Sequence, residues 1–86
     1  MKLVFTPSAW EDYVWFTEHD RKLLKRINSL LKEALRTPFT GTGKPEPLKG
    51  ELAGCWSRRI DHEHRLVYTV SADHLTVISC RYHYDD

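Results

Sequence analysis

The sequence predicts a small α+β domain in the order β-α-α-β-β-β, with two helices packed on one face of a twisted antiparallel sheet. Three observations carry that expectation. Between Trp56 and Val70, residues alternate with period two: Trp56, Ile60, Leu66, Tyr68 and Val70 fall on one face, and Arg59, Asp61, Glu63 and Arg65 on the other. Upstream, Leu23, Leu24, Ile27, Leu30, Leu31, Ala34 and Leu35 form a broad apolar stripe at helical spacing. Downstream, a further β-like run from Leu75 to Tyr84 follows a short polar turn, so three strands in succession make a meander. A lone hairpin is marginal in water, which is why the third strand and a helical cover are required.

Taken in order, Lys2-Leu3-Val4-Phe5 is a short strand that can add at a sheet edge. Thr6-Pro7 reads as a helix start, with Thr6 as N-cap and Pro7 at the first helical position, where its missing N–H costs nothing. The first helix is expected to reach about Glu18, with Trp10, Tyr13, Val14 and Phe16 or Thr17 facing inward. Core packing accounts for these aromatics better than stacking on bases does. Asp20 is the expected N-cap of a longer helix ending near Arg36. Its outer face carries Lys22, Lys25, Arg26, Ser29, Lys32, Glu33 and Arg36, a surface that either is merely solvated or meets phosphate.

From Thr37 to Glu51 periodicity vanishes, and three prolines and three glycines mark a long ordered loop anchored by Phe39 and Leu48. Pro45 and Pro47 bracket Glu46 and push it towards extended geometry. After the hairpin, Ser71-Ala72-Asp73-His74 is a turn. In the last strand Ile78, Cys80 and Tyr82 are expected on one face, with Arg81 and His83 on the other.

At 86 residues the chain is a single domain, 1–86, with too small a core for a deep enclosed pocket. Oligomerisation or a bound partner would help so small a core. Thirteen Lys and Arg against twelve Asp and Glu leave a net charge of +1, so segregation of charge matters more than its sum. No run approaches the ~20 apolar residues of a membrane span, and the first residues do not resemble a signal peptide. A cytoplasmic protein is expected, with Cys55 and Cys80 as reduced core fillers rather than nucleophiles.

Four groups of residues can carry chemistry. His62-Glu63-His64 in the hairpin turn lacks the third ligand that a tight zinc site needs, and exposed turn histidines fit equally well; no metal and no cofactor is expected. The other three are Glu46 with Lys49, Arg59 with Arg65, and His83 with Tyr84. An acid, a histidine and two arginines are what RNA cleavage by internal transesterification requires. A carboxylate takes the ribose 2′-OH proton, an imidazolium protonates the leaving 5′ oxygen, and arginines hold the phosphorane charge. Ion pairs among the same residue types are the plain alternative.

The runs Gly43-Lys44-Pro45-Glu46-Pro47-Leu48, Trp56-Ser57-Arg58-Arg59-Ile60, Glu63-His64-Arg65-Leu66-Val67-Tyr68 and Cys80-Arg81-Tyr82-His83-Tyr84 closely resemble YoeB toxins of the RelE-like superfamily. Trp10-Glu11-Asp12-Tyr13 and Arg36-Thr37-Pro38-Phe39 extend the likeness into the helices. The resemblance implies a small RelE-like microbial RNase fold and the toxin of a type II toxin–antitoxin pair, cutting mRNA in the ribosomal A site. It assigns Glu46 as general base, His83 as general acid, Arg65 as transition-state clamp, Lys49 and Arg59 as phosphate ligands, and Tyr84 as a substrate-positioning residue. It also implies a YefM-like antitoxin with an acidic C-terminal segment, the 70S ribosome and mRNA as partners, and a homodimer. Lys22, Lys25, Arg26 and Lys32 are the candidate contacts to ribosomal RNA. Asp85-Asp86 depart from the family pattern, which usually stops near the tyrosine; beside His83 they are expected to favour its imidazolium form. A non-catalytic A-site blocker and an antitoxin-binding corepressor are the competing functions.

Overall fold

The computed structural model describes residues 1–82, so His83, Tyr84, Asp85 and Asp86 lie outside the described residues. β1 (Lys2–Phe5) leads into α1 (Pro7–His19) and α2 (Arg21–Arg36). A loop then brings the chain to β2 (Glu46–Pro47), and a single turn of 3₁₀ helix (Gly50–Leu52) precedes β3 (Trp56–Arg59), β4 (Arg65–Val70) and β5 (His74–Ser79). Both expected caps are present. The Thr6 hydroxyl accepts the Ala9 amide at 3.1 Å, and the Asp20 carboxylate accepts the Leu23 amide at 3.1 Å. Each satisfies one of the N-terminal amides that a helix leaves without an internal partner.

The sheet order is β1-β5-β4-β3-β2, and the sheet is mixed rather than antiparallel because β1 runs parallel to β5. The opposite edge is formed by β2, which sequence reading placed in the loop. It pairs antiparallel with β3, and the β3–β4 and β4–β5 pairs are antiparallel too. β1, β3 and β5 therefore point one way and β2 and β4 the other.

Both helices cover one face of the sheet. Ala9 and Phe16 of α1 and Ile27, Leu30, Leu31 and Ala34 of α2 pack against Leu66, Tyr68, Leu75, Val77 and Cys80. Fully burying each large side chain contributes about 1.5–3 kcal/mol, so this layer is the main source of stability. Two face assignments change. Trp10 is 53% exposed, because the inward stripe of α1 passes through Ala9 and Phe16 instead. In β5 the core positions are Leu75 and Val77 rather than Ile78; the strand ends at Ser79, and Tyr82 is exposed. A register shift between Val67 and Tyr68 accompanies the altered alternation. No helix among the described residues is long and apolar enough to cross a membrane.

Candidate active site

The site is built on the sheet face that the helices leave open. Paired residues in a ladder share a face, and the pairs Glu46–Ser57, Ser57–Val67 and Arg59–Arg65 therefore put Glu46, Arg59 and Arg65 on one side. Ser57 and Val67 are buried between them, while Glu46 and Arg59 are exposed and Arg65 is half-buried. Lys49 is exposed and extended just before the 3₁₀ turn that follows β2. Sequence alternation alone had set Arg59 and Arg65 on this face; the two-residue strand adds Glu46 to it.

Arg59 and Arg65 stand directly opposite each other in the ladder. Like charges at such positions repel, and a strand pair gains nothing from keeping them there. Neither forms an ion pair with a carboxylate of the described residues. Arg65 goes further: its Nη1 is buried and donates to no acceptor among the described residues. An unmet guanidinium donor beside a second cation is a ready place for an anion. Arg26 adds charge at the same end of β3, but its Nε and Nη2 donate to the Ile60 and Arg59 carbonyls at 3.3 and 3.2 Å. Arg26 thus braces the strand end, while Lys22, Lys25 and Lys32 are exposed.

The loop carrying Glu46 is held from below by a residue that sequence reading passed over. Arg58 has the same parity as Trp56 and Ile60, so its guanidinium points into the helix-covered side and is completely buried. All five of its N–H groups find acceptors. Nε donates to the Tyr68 hydroxyl at 3.0 Å, Nη1 to Glu33 Oε2 at 2.7 Å and to the Thr42 carbonyl at 3.1 Å. Nη2 donates to the Thr37 and Thr40 carbonyls at 2.5 and 2.8 Å. Tyr68 in turn donates its hydroxyl to the Pro38 carbonyl at 2.6 Å. Burial raises the Tyr68 pKa against the opposing effect of Arg58. The Glu33 pKa is lowered, first by the Thr42 backbone N–H and further by the Thr42 hydroxyl and Arg58, against a desolvation that raises it. Glu33 is thus no outer-face anion but the charge partner of a buried cation. The available signal was a charge at a core-parity position of β3.

Gly43 completes the attachment. Its carbonyl accepts the Arg59 amide at 2.7 Å, and its φ of 88° suits glycine. A Cβ there would lie 3.1 Å from Arg58 Cβ and 3.2 Å from the Arg59 carbonyl oxygen, so a larger residue would be strained at this φ and would have to push its neighbours back by a few tenths of an ångström.

The β3–β4 turn is closed by Asp61, whose Oδ1 accepts the Glu63 and His64 amides at 2.8 and 2.7 Å. Partial burial alone raises the Asp61 pKa, but the His64 and Glu63 amides outweigh it and the net shift is downward. His64 is not an exposed turn histidine: it is 5% exposed, edge-on to Phe16 at 5.1 Å. Its Nδ1 accepts the Tyr82 amide at 2.7 Å. Arg81 turns away from the open face and lays its guanidinium over the Trp15 ring, 3.8 Å from the centroid. Burial, with Asp12 adding to it, pushes the Cys80 thiol up to about 12, which makes it inert at neutral pH. Both cysteines are free. The catalytic assignments to His83 and Tyr84 lie outside the described residues.

Comparison with known proteins bears on this arrangement. Residues 5–84 match the family model described as the YoeB-like toxin of bacterial type II toxin-antitoxin systems. Toxin YoeB of Synechocystis is 61% identical over 84 residues, covering 98% of each chain. The solved YoeB/ParE toxin from Agrobacterium tumefaciens is 56% identical, with a TM-score of 0.95 over 98% of this chain and all of that one. A Staphylococcus aureus YoeB is solved as a dimer, 52% identical with a TM-score of 0.91, and in a YoeB–YefM complex, 50% identical with a TM-score of 0.90; each alignment covers 98% of both chains.

Proposed function

The chain belongs to the YoeB-like toxins of bacterial type II toxin–antitoxin systems, and on that premise we propose that it is a ribosome-dependent mRNA endonuclease. The observation that carries the reading is the Arg59–Arg65 pair, two cations with no ion-pair partner among the described residues and one Nη1 donor with no acceptor among them, on the face that also bears Glu46. A scissile phosphate supplies the missing acceptors and removes the repulsion at once.

In the proposed reaction Glu46 takes the proton from a ribose 2′-OH, and the 2′ oxygen attacks the adjacent phosphorus. Arg65, with Arg59 and Lys49, stabilises the charge that develops on the equatorial oxygens, a contribution of about 10²–10³ per donor group in comparable oxyanion sites. His83 protonates the departing 5′ oxygen and Tyr84 positions the substrate. The products are a 2′,3′-cyclic phosphate, or the 3′-phosphate formed from it, and a 5′-OH. The 2′-OH is the nucleophile, so the mechanism calls for no metal and no cofactor. Asp85 and Asp86 favour the His83 imidazolium and so move the pH optimum upward.

The protein acts in the cytoplasm, where the 70S ribosome presents its mRNA. Exposed Lys22, Lys25 and Lys32 support a contact with ribosomal RNA phosphates. The S. aureus relatives support a YefM-like antitoxin and a homodimer as partners. Such an antitoxin would mask or distort the site with an acidic segment that orders on binding.

Primer extension on a defined mRNA in a purified translation system tests the reading, with wild type, Glu46→Gln and His83→Gln compared with and without ribosomes. Codon-phased breaks that need ribosomes and vanish in both variants are expected. Inhibition without breaks would make the protein an A-site blocker. Neither effect would leave a partner-binding corepressor.

A further inference from the structure

The β3–β4 turn and the end of the chain meet at one residue. Tyr82 has φ of 66°, a left-handed conformation that a bulky L residue adopts only when its surroundings hold it there. Both polar groups of its backbone are gripped from the turn. Its amide donates to His64 Nδ1 at 2.7 Å, and its carbonyl accepts the Arg65 amide at 3.1 Å. Tyr82 is 53% exposed, and its side chain is tied to the neighbouring Arg81, whose Nη2 donates to the Tyr82 hydroxyl at 2.7 Å and whose guanidinium lies 4.6 Å from the ring centroid.

The His64 ring is fixed in turn. As Nδ1 is an acceptor, a neutral ring carries its proton on Nε2, which lies 3.5 Å from Glu63 Oε1. Phe16 blocks one side edge-on, and the Tyr82 ring lies 5.7 Å away. The His64 backbone is also committed, since its carbonyl accepts the Ile60 and Asp61 amides at 3.0 and 3.3 Å. A rigid acceptor therefore sits one residue before Arg65 and fixes the residue that precedes His83.

We propose that His64 is a positioning residue for cleavage: by accepting the Tyr82 amide through Nδ1, it holds Tyr82, the residue that precedes His83 in the chain, left-handed against the start of β4 at Arg65. The inference rests on the reading above, in which Arg65 is the clamp and His83 the general acid. His64 touches neither substrate nor reacting atoms in this role. It acts through the backbone, so loss of its acceptor reduces turnover while phosphate binding by Arg59, Arg65 and Lys49 persists.

The test compares His64→Leu, which removes the acceptor at similar volume, with His64→Asn, whose Oδ1 reproduces it. Cleavage is read as kcat and KM for A-site mRNA on purified ribosomes, with melting curves to verify folding. The expected result is a drop in kcat of about 10–100-fold for His64→Leu at near-constant KM, a partial loss of the ~10²–10⁴-fold that general acid catalysis contributes, with most of that loss absent in His64→Asn. In a His83→Gln background, His64→Leu should cost little more, because the two act as one unit. Wild-type kcat in folded His64→Leu, or equal losses in the Leu and Asn variants, overturns the proposal. If His64→Leu does not fold, His64→Gln takes its place, with its acceptor displaced from the Nδ1 position, and the same comparison with Asn decides. Failure of the catalytic reading itself is separate: His83→Gln would then cleave normally.

Discussion

Arg58 and Arg65 are the same residue type on neighbouring strands of one sheet, yet they lie on opposite faces. On the helix-covered face Arg58 is wholly buried, and five acceptors drawn from α2, β4 and the loop meet its five N–H groups. On the open face Arg65 stands across from another arginine, and its buried Nη1 donates to nothing among the described residues. Burying a guanidinium is costly unless it is paired and hydrogen-bonded, so full satisfaction marks a structural tether. Leaving a donor unmet costs stability that a further acceptor would recover. Saturation therefore separates Arg58, which holds the loop, from Arg65, whose Nη1 is left without an acceptor among the described residues.

Substituting both arginines sharpens the contrast most. Arg58→Met should destabilise the domain by about 3–5 kcal/mol, because it strands Glu33, three carbonyls and the Tyr68 hydroxyl without their donor. That is a large share of the ~5–15 kcal/mol available to a domain of this kind, and urea titration followed by tryptophan fluorescence measures it. A loss below ~1 kcal/mol would break the claim that Arg58 is the tether.

Arg65→Ala should do the reverse. Its melting curve should stay within ~0.5 kcal/mol of wild type or improve, since a like-charge pair disappears. Ribosome-dependent cleavage should fall by about 10²–10³. An equal loss of stability and activity would return Arg65 to a structural role.

A smaller effect follows from Glu33. Its folded pKa is lowered, so the stability it supplies is complete above the ordinary value of 4.5 and is lost as pH falls through the folded value. Wild type should therefore lose part of its advantage over Glu33→Gln on acidification below that value, whereas Arg65→Ala should follow the wild-type pH curve. Parallel curves for wild type and Glu33→Gln would remove Glu33 from the covered-face network.

The smallest effect tests the covered face itself. Cys80, with its pKa pushed up to about 12, should resist iodoacetamide at neutral pH in the native protein and react only after unfolding. Mass spectrometry of the labelled peptides reads this directly, and rapid native labelling would mean that the face opens locally.

Much of this was legible in the residues. Thr6-Pro7 and Asp20 announced their helices because capping is settled within four residues. The stripe from Leu23 to Leu35 and the alternation through Trp56–Val70 gave the helix and the hairpin, since each period is a local property of the backbone. The open-face arginines followed from the same alternation. Trp10 misled because an aromatic at helical spacing suits a core, and only the final packing of α1 left it outside.

The sequence by itself determined the element types, the caps, the open-face arginines and, through its motifs, the toxin family. Tertiary structure decided the rest. It paired Glu46-Pro47 as β2 at one edge of the sheet and set β1 parallel to β5 at the other. It joined Arg58 to Glu33 across 25 residues and His64 to Tyr82 across 18, the one a saturated tether and the other a hold on a left-handed residue. Whether a charged or titratable side chain is satisfied depends on acceptors delivered by distant segments, and no local period encodes where those segments meet.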